Sequence, residues 1–90
     1  MLKHLNIKIS GRVQGVFFRA ETKNQARDLD LTGFVRNEPD DSVYIEAEGE
    51  EENLNQFVDF CRSGPDHAEV SDFDVREGEM KNFSEFKIEY

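Results

Sequence analysis

Apolar and polar residues alternate at the beginning of the chain, a period-two pattern that predicts a strand with one buried face. The apolar positions of this strand are Leu5, Ile7 and Ile9. Beyond the next loop the apolar spacing changes to three and four, which predicts one buried side of a helix of about three turns. That side is formed by Phe18, Thr22, Ala26 and Leu29.

The same patterns continue to the end of the chain. The predicted elements are strands over 31–37 and 43–48, a helix that starts at the acidic residues 50–52 and ends at Ser63-Gly64-Pro65, and strands over 69–76 and 86–90. This order predicts an α+β fold, a ferredoxin-like two-layer sandwich of the form βαββαβ with a short C-terminal strand. Two helices would cover one face of an antiparallel sheet, and water would cover the other.

This arrangement predicts which side chains lie on the open face of the sheet and which lie in the core. Glu46 and Glu48 alternate outward from the third strand, so we interpret them as solvated residues of the open sheet face. Cys61 lies on the apolar stripe of the second helix and is interpreted as a core residue rather than a nucleophile. The phenylalanines are likewise assigned to the core, among them Phe57, Phe60, Phe73, Phe83 and Phe86.

Size and charge limit the classes of function. Ninety residues are expected to form one domain, residues 1–90. A net charge of -9 argues against nucleic acid or an anionic membrane as a partner, and no apolar run approaches membrane-spanning length. One cysteine and an N-terminus without an apolar signal region are typical of a cytoplasmic protein. We expect a monomer without a cofactor, and no metal site, because His4 and His67 lack metal-ligand spacing.

A glycine-punctuated segment joins the first strand to the first helix. This glycine loop, residues 11–19, reads GRVQGVFFR. Gly11 and Gly15 can adopt backbone angles closed to other residues, so the N–H groups of residues 13–17 can converge on one anion. The N-terminus of the helix and Arg19 would add positive charge at that point. Lys8, Arg12 and Arg36 are expected to gather near it and offset the acidic surface.

The glycine loop resembles the signature of the acylphosphatases, and the resemblance extends over nearly the whole chain. It continues in LTGFVRN (residues 31–37), in Ser42-Val43, in EAEG (residues 46–49) and in FKIEY (residues 86–90). Members of this family hydrolyse the carboxyl–phosphate anhydride bond of small acyl phosphates and release inorganic phosphate. The chain is therefore identified as a member of the acylphosphatase family.

The resemblance implies specific roles at the site. The catalytic residues would be Arg19, which binds the phosphoryl group, and Asn37, which orients the attacking water without a metal. Phosphate would be held by Val13, Gln14, Gly15, Val16, Phe17 and Arg19. Family members commonly have tryptophan at the position of Phe34 and glycine at that of Asp41. The first change is expected to affect packing only, and aspartate tolerates the left-handed angles of the turn.

Two alternatives were considered. A single-stranded RNA-binding module shares the fold order, but its stacking aromatics belong on central strands, whereas Phe17 and Phe18 lie at the helix entry of an acidic chain. The second alternative is a catalytically inactive anion-binding or regulatory domain on the same scaffold. Intact Arg19 and Asn37 argue against it, and phosphate binding without turnover would support it.

Overall fold

The order of strands and helices follows the hydrophobic pattern closely. A computed structural model describes residues 1–15, 17–64 and 68–90, and the elements below lie within these ranges. They are β1 (Leu2–Arg12), α1 (Phe18–Asp28), β2 (Thr32–Asn37), β3 (Val43–Glu50), α2 (Glu51–Ser63), β4 (Glu69–Gly78) and β5 (Phe86–Glu89). Each predicted element is present. The strands β1, β3 and β4 extend a few residues beyond the predicted ranges, whereas β2 and β5 are each one residue shorter.

The strands form one sheet in the order β4-β1-β3-β2-β5. The pairs β1–β3, β1–β4 and β2–β3 are antiparallel, whereas β2 and β5 are parallel. The ferredoxin-like fold class is confirmed, and the parallel edge strand makes the sheet mixed. This direction follows from topology, because β4 finishes at the end of the sheet at which β2 begins. A chain that crosses the sheet from there runs beside β2 in the same direction.

The helix-facing side of the sheet holds the apolar core. The alternating residues of β1 point inward as predicted, with Ile7 and Ile9 fully buried. Rings from α2 and β5 meet edge to face, since the Phe57 and Phe86 centroids lie 6.0 Å apart at an interplanar angle of 69°. Burying one such side chain contributes about 1.5–3 kcal/mol. Other buried side chains of this core include Phe18, Val35, Ile45 and Leu54.

Gly33 lets β2 approach β3 closely within this layer. Its φ is 141°, and a Cβ atom placed there would lie 1.8 Å from the carbonyl oxygen of Glu46. No side chain can be accommodated at that distance without moving the backbone. A glycine at this point therefore keeps β2, and Asn37 at its end, in register with β3.

The ends of the helices carry the expected signals. Glu51 and Glu52 lie in the first turn of α2, where the helix dipole favours negative charge. Gly64 follows the last turn with a φ of 75°, and its N–H donates to the carbonyl oxygen of Phe60 at 2.8 Å. The predicted contribution of Pro65 lies outside the described residues. No helix in the described ranges is long and apolar enough to span a bilayer.

The outer face of the sheet differs from its prediction. Glu46 and Glu48 were expected to be solvated, but they are only 6% and 2% exposed. The segment between β4 and β5, residues 79–85 (the crossing segment), covers them. The Glu48 carboxylate accepts the backbone N–H groups of Lys81 and Phe83. The prediction was wrong because strand alternation identifies a face and cannot show which loop will cross it.

A polar cluster forms under the crossing segment. His4 Nε2 lies 2.9 Å from Asn6 Oδ1 and 3.2 Å from Glu46 Oε1. The Nζ atom of Lys81 lies 2.8 Å from Glu46 Oε1, and the Tyr44 hydroxyl donates to Glu46 Oε2 at 2.8 Å. Burial and the bond to Glu46 raise the pKa of Tyr44 to about 12. This cluster ties the crossing segment to the middle of the sheet.

Aromatic rings close the same face beside the polar cluster. Phe34 is almost fully buried there and meets Phe83 edge to face at 5.8 Å between centroids. Phe83, assigned to the core from sequence, is half-buried on this outer face rather than under the helices. Phe34 therefore occupies a packing position, in agreement with the expectation for its replacement of tryptophan.

Candidate active site

A cavity of about 270 Å³ opens where the glycine loop meets the end of β2. Three parts of the chain form its walls, namely the glycine loop with the start of α1, the end of β2, and β5. The loop and the start of α1 contribute Val13, Gly15, Phe17 and Arg19, and the sheet side contributes Asn37 and Ile88. Residues from both sequence motifs, separated along the chain, thus meet at one concave surface.

The backbone of the glycine loop adopts the unusual angles that its sequence predicts. Gly11 has a φ of 127° and lies at a register shift in the pairing of β1 with β4, whereas Gly15 has a φ of 75°. Phe17 precedes α1 with a φ of 60°, a left-handed conformation that is rare for a bulky residue. Residues held in such angles concentrate at functional sites. The turn brings the start of α1 to the cavity.

Arg19 lies in the first turn of α1 and supplies positive charge to the cavity wall. Its guanidinium carbon is 5.0 Å from the centroid of the Tyr90 ring, a cation–π distance. Tyr90 also lines the cavity. The unpaired N–H groups at the start of a helix carry partial positive charge. The cavity therefore combines a full charge with a helix N-terminus, an arrangement suited to an anion.

Asn37 is the last residue of β2 and lies on the cavity wall. Its side-chain oxygen is buried and has no hydrogen-bond partner among the described residues. An unsatisfied buried polar atom costs about 1–3 kcal/mol, so such atoms in native proteins call for an explanation. Here the residue lines the cavity that Arg19 and the glycine loop also line.

The structure separates the predicted phosphate-binding residues into three groups. Val13, Gly15, Phe17 and Arg19 line the cavity. Gln14 lies behind it, and its side-chain amide bonds to the turn between β2 and β3. Val16 lies outside the described residues. The sequence pattern did not indicate this side-chain role of Gln14. It also did not indicate that Ile88 and Tyr90 line the cavity, because the apolar alternation over 86–90 predicted only core packing.

Lys8 and Arg36 do not gather at the cavity as expected. Lys8 pairs with Asp40 at 2.9 Å, and Arg36 lies 3.4 Å from Glu38 with its guanidinium above the Tyr44 ring. Both are directed to the outer face by strand alternation, away from the cavity. Among the described residues that line the cavity, Arg19 is the one basic side chain. Positive potential at the site thus comes from one guanidinium and backbone N–H groups.

Metal binding and nucleophilic catalysis by a thiol are the other kinds of chemistry that the side chains could support. In the part of the chain that the structure describes, no three or more His, Cys, Asp or Glu side chains are arranged so that they could hold a metal ion. Cys61 is fully buried on α2, and this burial raises the pKa of its thiol well above the usual value. Its assignment to the core is confirmed.

Comparison with known proteins identifies the family to which the chain belongs. The family model for acylphosphatase matches residues 5–88. An acylphosphatase from Archaeoglobus fulgidus is 44% identical over 86 residues, which span 96% of this chain and 97% of that protein. The crystal structure of acylphosphatase from Bacillus subtilis matches with a TM-score of 0.94 at 37% identity, covering 100% of both chains.

A second solved structure supports the same assignment. The acylphosphatase from Coxiella burnetii matches with a TM-score of 0.94 at 32% identity over 98% of this chain and 93% of that chain. Sequence and fold therefore agree over nearly the full length of each relative. The chain is an enzyme of the acylphosphatase family, whose reaction is the hydrolysis of acyl phosphates.

Proposed function

We propose that this chain splits the carboxyl–phosphate anhydride bond of acyl phosphates by binding the phosphoryl group to Arg19 and the loop amides and attacking it with a water oriented by Asn37. The observation that supports this role is that Asn37, whose buried side-chain oxygen has no hydrogen-bond partner among the described residues, lines the same cavity as Arg19. An amide group of this kind can both donate a hydrogen bond to a water molecule and accept one from it.

Phosphoryl binding rests on charge and on backbone donors. In the loose transition state of phosphoryl transfer, negative charge spreads over the three equatorial oxygens. The planar guanidinium of Arg19 can donate two parallel bonds to such oxygens, and amides near Gly15 and the start of α1 can supply others. Preorganised donors of this kind lower the barrier because they need no reorientation during the reaction.

The hydrolytic step requires little acid–base chemistry. The water oxygen forms a bond to phosphorus while the bond between phosphorus and the acyl oxygen breaks, and the acyl group leaves as a carboxylate. The proton lost by the water passes to phosphate or solvent. Asn37 is uncharged, so its role is to hold the water in line rather than to deprotonate it.

Metal independence belongs to the same proposal. Arg19 and the backbone N–H groups supply the positive charge that a divalent cation supplies in many phosphoryl-transfer enzymes. Hydrolysis should therefore proceed at full rate with a chelator present. A rate that falls on chelation and returns with added magnesium would contradict this part of the mechanism.

The deciding experiment compares Asn37→Ala with the intact protein in hydrolysis of benzoyl phosphate, with a chelator present. We expect kcat to fall about 100-fold or more. The inhibition constant of inorganic phosphate should stay unchanged, because Arg19 and the loop remain. Asn24→Ala, which removes an exposed asparagine of α1, is the matched control and should leave both constants unchanged.

Each contrary result has a distinct meaning. Equal losses of phosphate binding and turnover in Asn37→Ala would assign this residue to binding and reject the water-orienting role. Phosphate binding by an intact protein that hydrolyses no acyl phosphate would favour the anion-binding domain instead.

We further propose that the chain acts as a cytoplasmic monomer on a small molecule, without nucleic acid or membrane as a partner. The net charge of -9 argues against nucleic acid and anionic membranes as partners, and a cavity of about 270 Å³ matches a small ligand. The single cysteine is typical of a reducing compartment. Light scattering should give the mass of one chain, 10.4 kDa. A concentration-dependent mass of twice that value would contradict the monomer.

A further inference from the structure

The side chain of Gln14 joins the two motifs that form the cavity. Its Nε2 atom donates to the carbonyl oxygen of Glu38 at 3.0 Å and to that of Ser42 at 2.9 Å. Glu38 directly follows Asn37, and Ser42 directly precedes β3, so these carbonyls are the two ends of the turn between β2 and β3. One amide group therefore connects the glycine loop to the turn beside Asn37.

The surrounding bonds determine the orientation of this amide. The carbonyl oxygen of Glu38 also accepts the N–H of Asp41 at 3.1 Å, and that of Ser42 also accepts the N–H of Glu38 at 2.8 Å. Each carbonyl thus receives one backbone donor and one Gln14 proton, which uses both of its lone pairs. The opposite orientation of the amide would place the side-chain oxygen of Gln14 against these two carbonyl oxygens. Gln14 therefore acts as a double donor across the closed end of the turn.

We propose that Gln14 is a positioning residue for hydrolysis, which sets the distance between the bound phosphoryl group and the water at Asn37. This inference rests on the function proposed above. Val13 and Gly15, the neighbours of Gln14, line the cavity, whereas the Gln14 side chain reaches the backbone of the opposite wall. A shift of the glycine loop relative to the end of β2 would move the water at Asn37 out of line with the phosphorus. Each of the two walls would itself stay intact.

A second contact with the same turn, made from β1 by Lys8, provides a matched control. Lys8 donates to the Asp40 carboxylate at 2.9 Å, and both side chains are about half exposed. An exposed ion pair of this kind contributes little, and it does not touch the carbonyls beside Asn37. Losing the Lys8 contact should therefore leave the cavity unchanged, whereas losing the Gln14 contacts should not.

The test replaces Gln14 by methionine, which retains the length of the side chain and removes both donors. We expect Gln14→Met to lower kcat for benzoyl phosphate about 10- to 100-fold, the effect of a small misplacement of reacting groups. KM and the inhibition constant of inorganic phosphate should not change, because the phosphate donors remain. Lys8→Met should leave kcat, KM and the inhibition constant unchanged. This split between kcat and KM separates positioning from general loosening of the fold.

A double-mutant cycle with Asn37→Ala tests whether Gln14 acts through the oriented water. In the Asn37→Ala background, Gln14→Met should cause no further loss of kcat, because no oriented water remains to be misplaced. Multiplicative losses would show that Gln14 acts independently of Asn37 and would overturn the inference. If Asn37→Ala alone retains full activity, the proposed function fails, and that result is read without any Gln14 variant.

A milder variant keeps the inference testable if Gln14→Met does not fold. Gln14→Asn retains the amide but is one methylene shorter, so it cannot reach both carbonyls. Gln14→Asn should also lower kcat, by a smaller factor than Gln14→Met. Unchanged kcat in a folded Gln14 variant, or a weaker phosphate inhibition constant at unchanged kcat, would overturn the positioning role.

Discussion

The Nδ1 atom of His4 lies 2.7 Å from Oε2 of Glu48, and both side chains are almost completely buried on the sheet face opposite the cavity. Glu48 also receives two backbone N–H groups of the crossing segment. That segment leads into β5, whose Ile88 lines the cavity. The Glu48 carboxylate therefore binds the crossing segment, which leads into the strand that contributes Ile88 to the cavity.

Glu48→Gln should destabilise the protein substantially. Its amide group would face N–H donors and His4, so at least one buried donor would lose its partner. We expect the free energy of unfolding to fall by about 2–4 kcal/mol, measured by urea denaturation. Glu50→Gln is the control, since Glu50 lies two residues further along β3 and is exposed. A loss no greater than that of this control would contradict the role of Glu48.

Stability should also depend on pH through this cluster. Burial alone would raise the pKa of Glu46 and of Glu48, but bonds from Lys81, Tyr44 and His4 outweigh it, so both pKa values lie below the ordinary 4.5. A lowered folded-state pKa adds stability above the unfolded-state pKa and loses it as pH falls. In denaturation curves, the difference between intact protein and Glu48→Gln should shrink below pH 4.5. A constant difference would contradict this linkage.

Arg19→Ala should weaken phosphate binding and turnover together, in contrast to Asn37→Ala. Removing charge-assisted bonds should raise the inhibition constant of inorganic phosphate about 10- to 100-fold. The value of kcat/KM should fall by at least as much, because the transition state loses the same contacts. Lys23→Ala, which removes a cation from the same helix, is the control. Inhibition of Arg19→Ala by phosphate at the original strength would exclude Arg19 from the binding site.

The thiol of Cys61 should not react with thiol reagents in the native state. Its raised pKa and complete burial predict that a thiol reagent reacts only as fast as the protein opens. Cys61→Ala should keep kcat and KM and lose about 1 kcal/mol of stability, the typical effect of a core substitution. Rapid labelling of the folded protein, or loss of activity in Cys61→Ala, would reopen the question of a reactive thiol.

Much of the site was already contained in local sequence. The glycines of the loop prescribe left-handed angles, which Gly11 and Gly15 adopt, and strand alternation places Asn37 with Gly33 and Val35 on the helix-facing side. Asp41 takes a φ of 71°, as expected for a replacement of glycine in a turn. These features could be predicted because they depend on backbone geometry within a few residues.

The sequence by itself determined the elements, the fold class and the two motifs, because hydrophobic period and glycine angles are local properties. Only the tertiary structure decided what covers the outer face, where Glu46 and Glu48 are buried, and which basic residue reaches the cavity. It alone showed Gln14 bonded to carbonyls 24 and 28 residues away. Such contacts depend on how the chain crosses the sheet, and a long-range crossing leaves no periodic signal in the residues that it brings together.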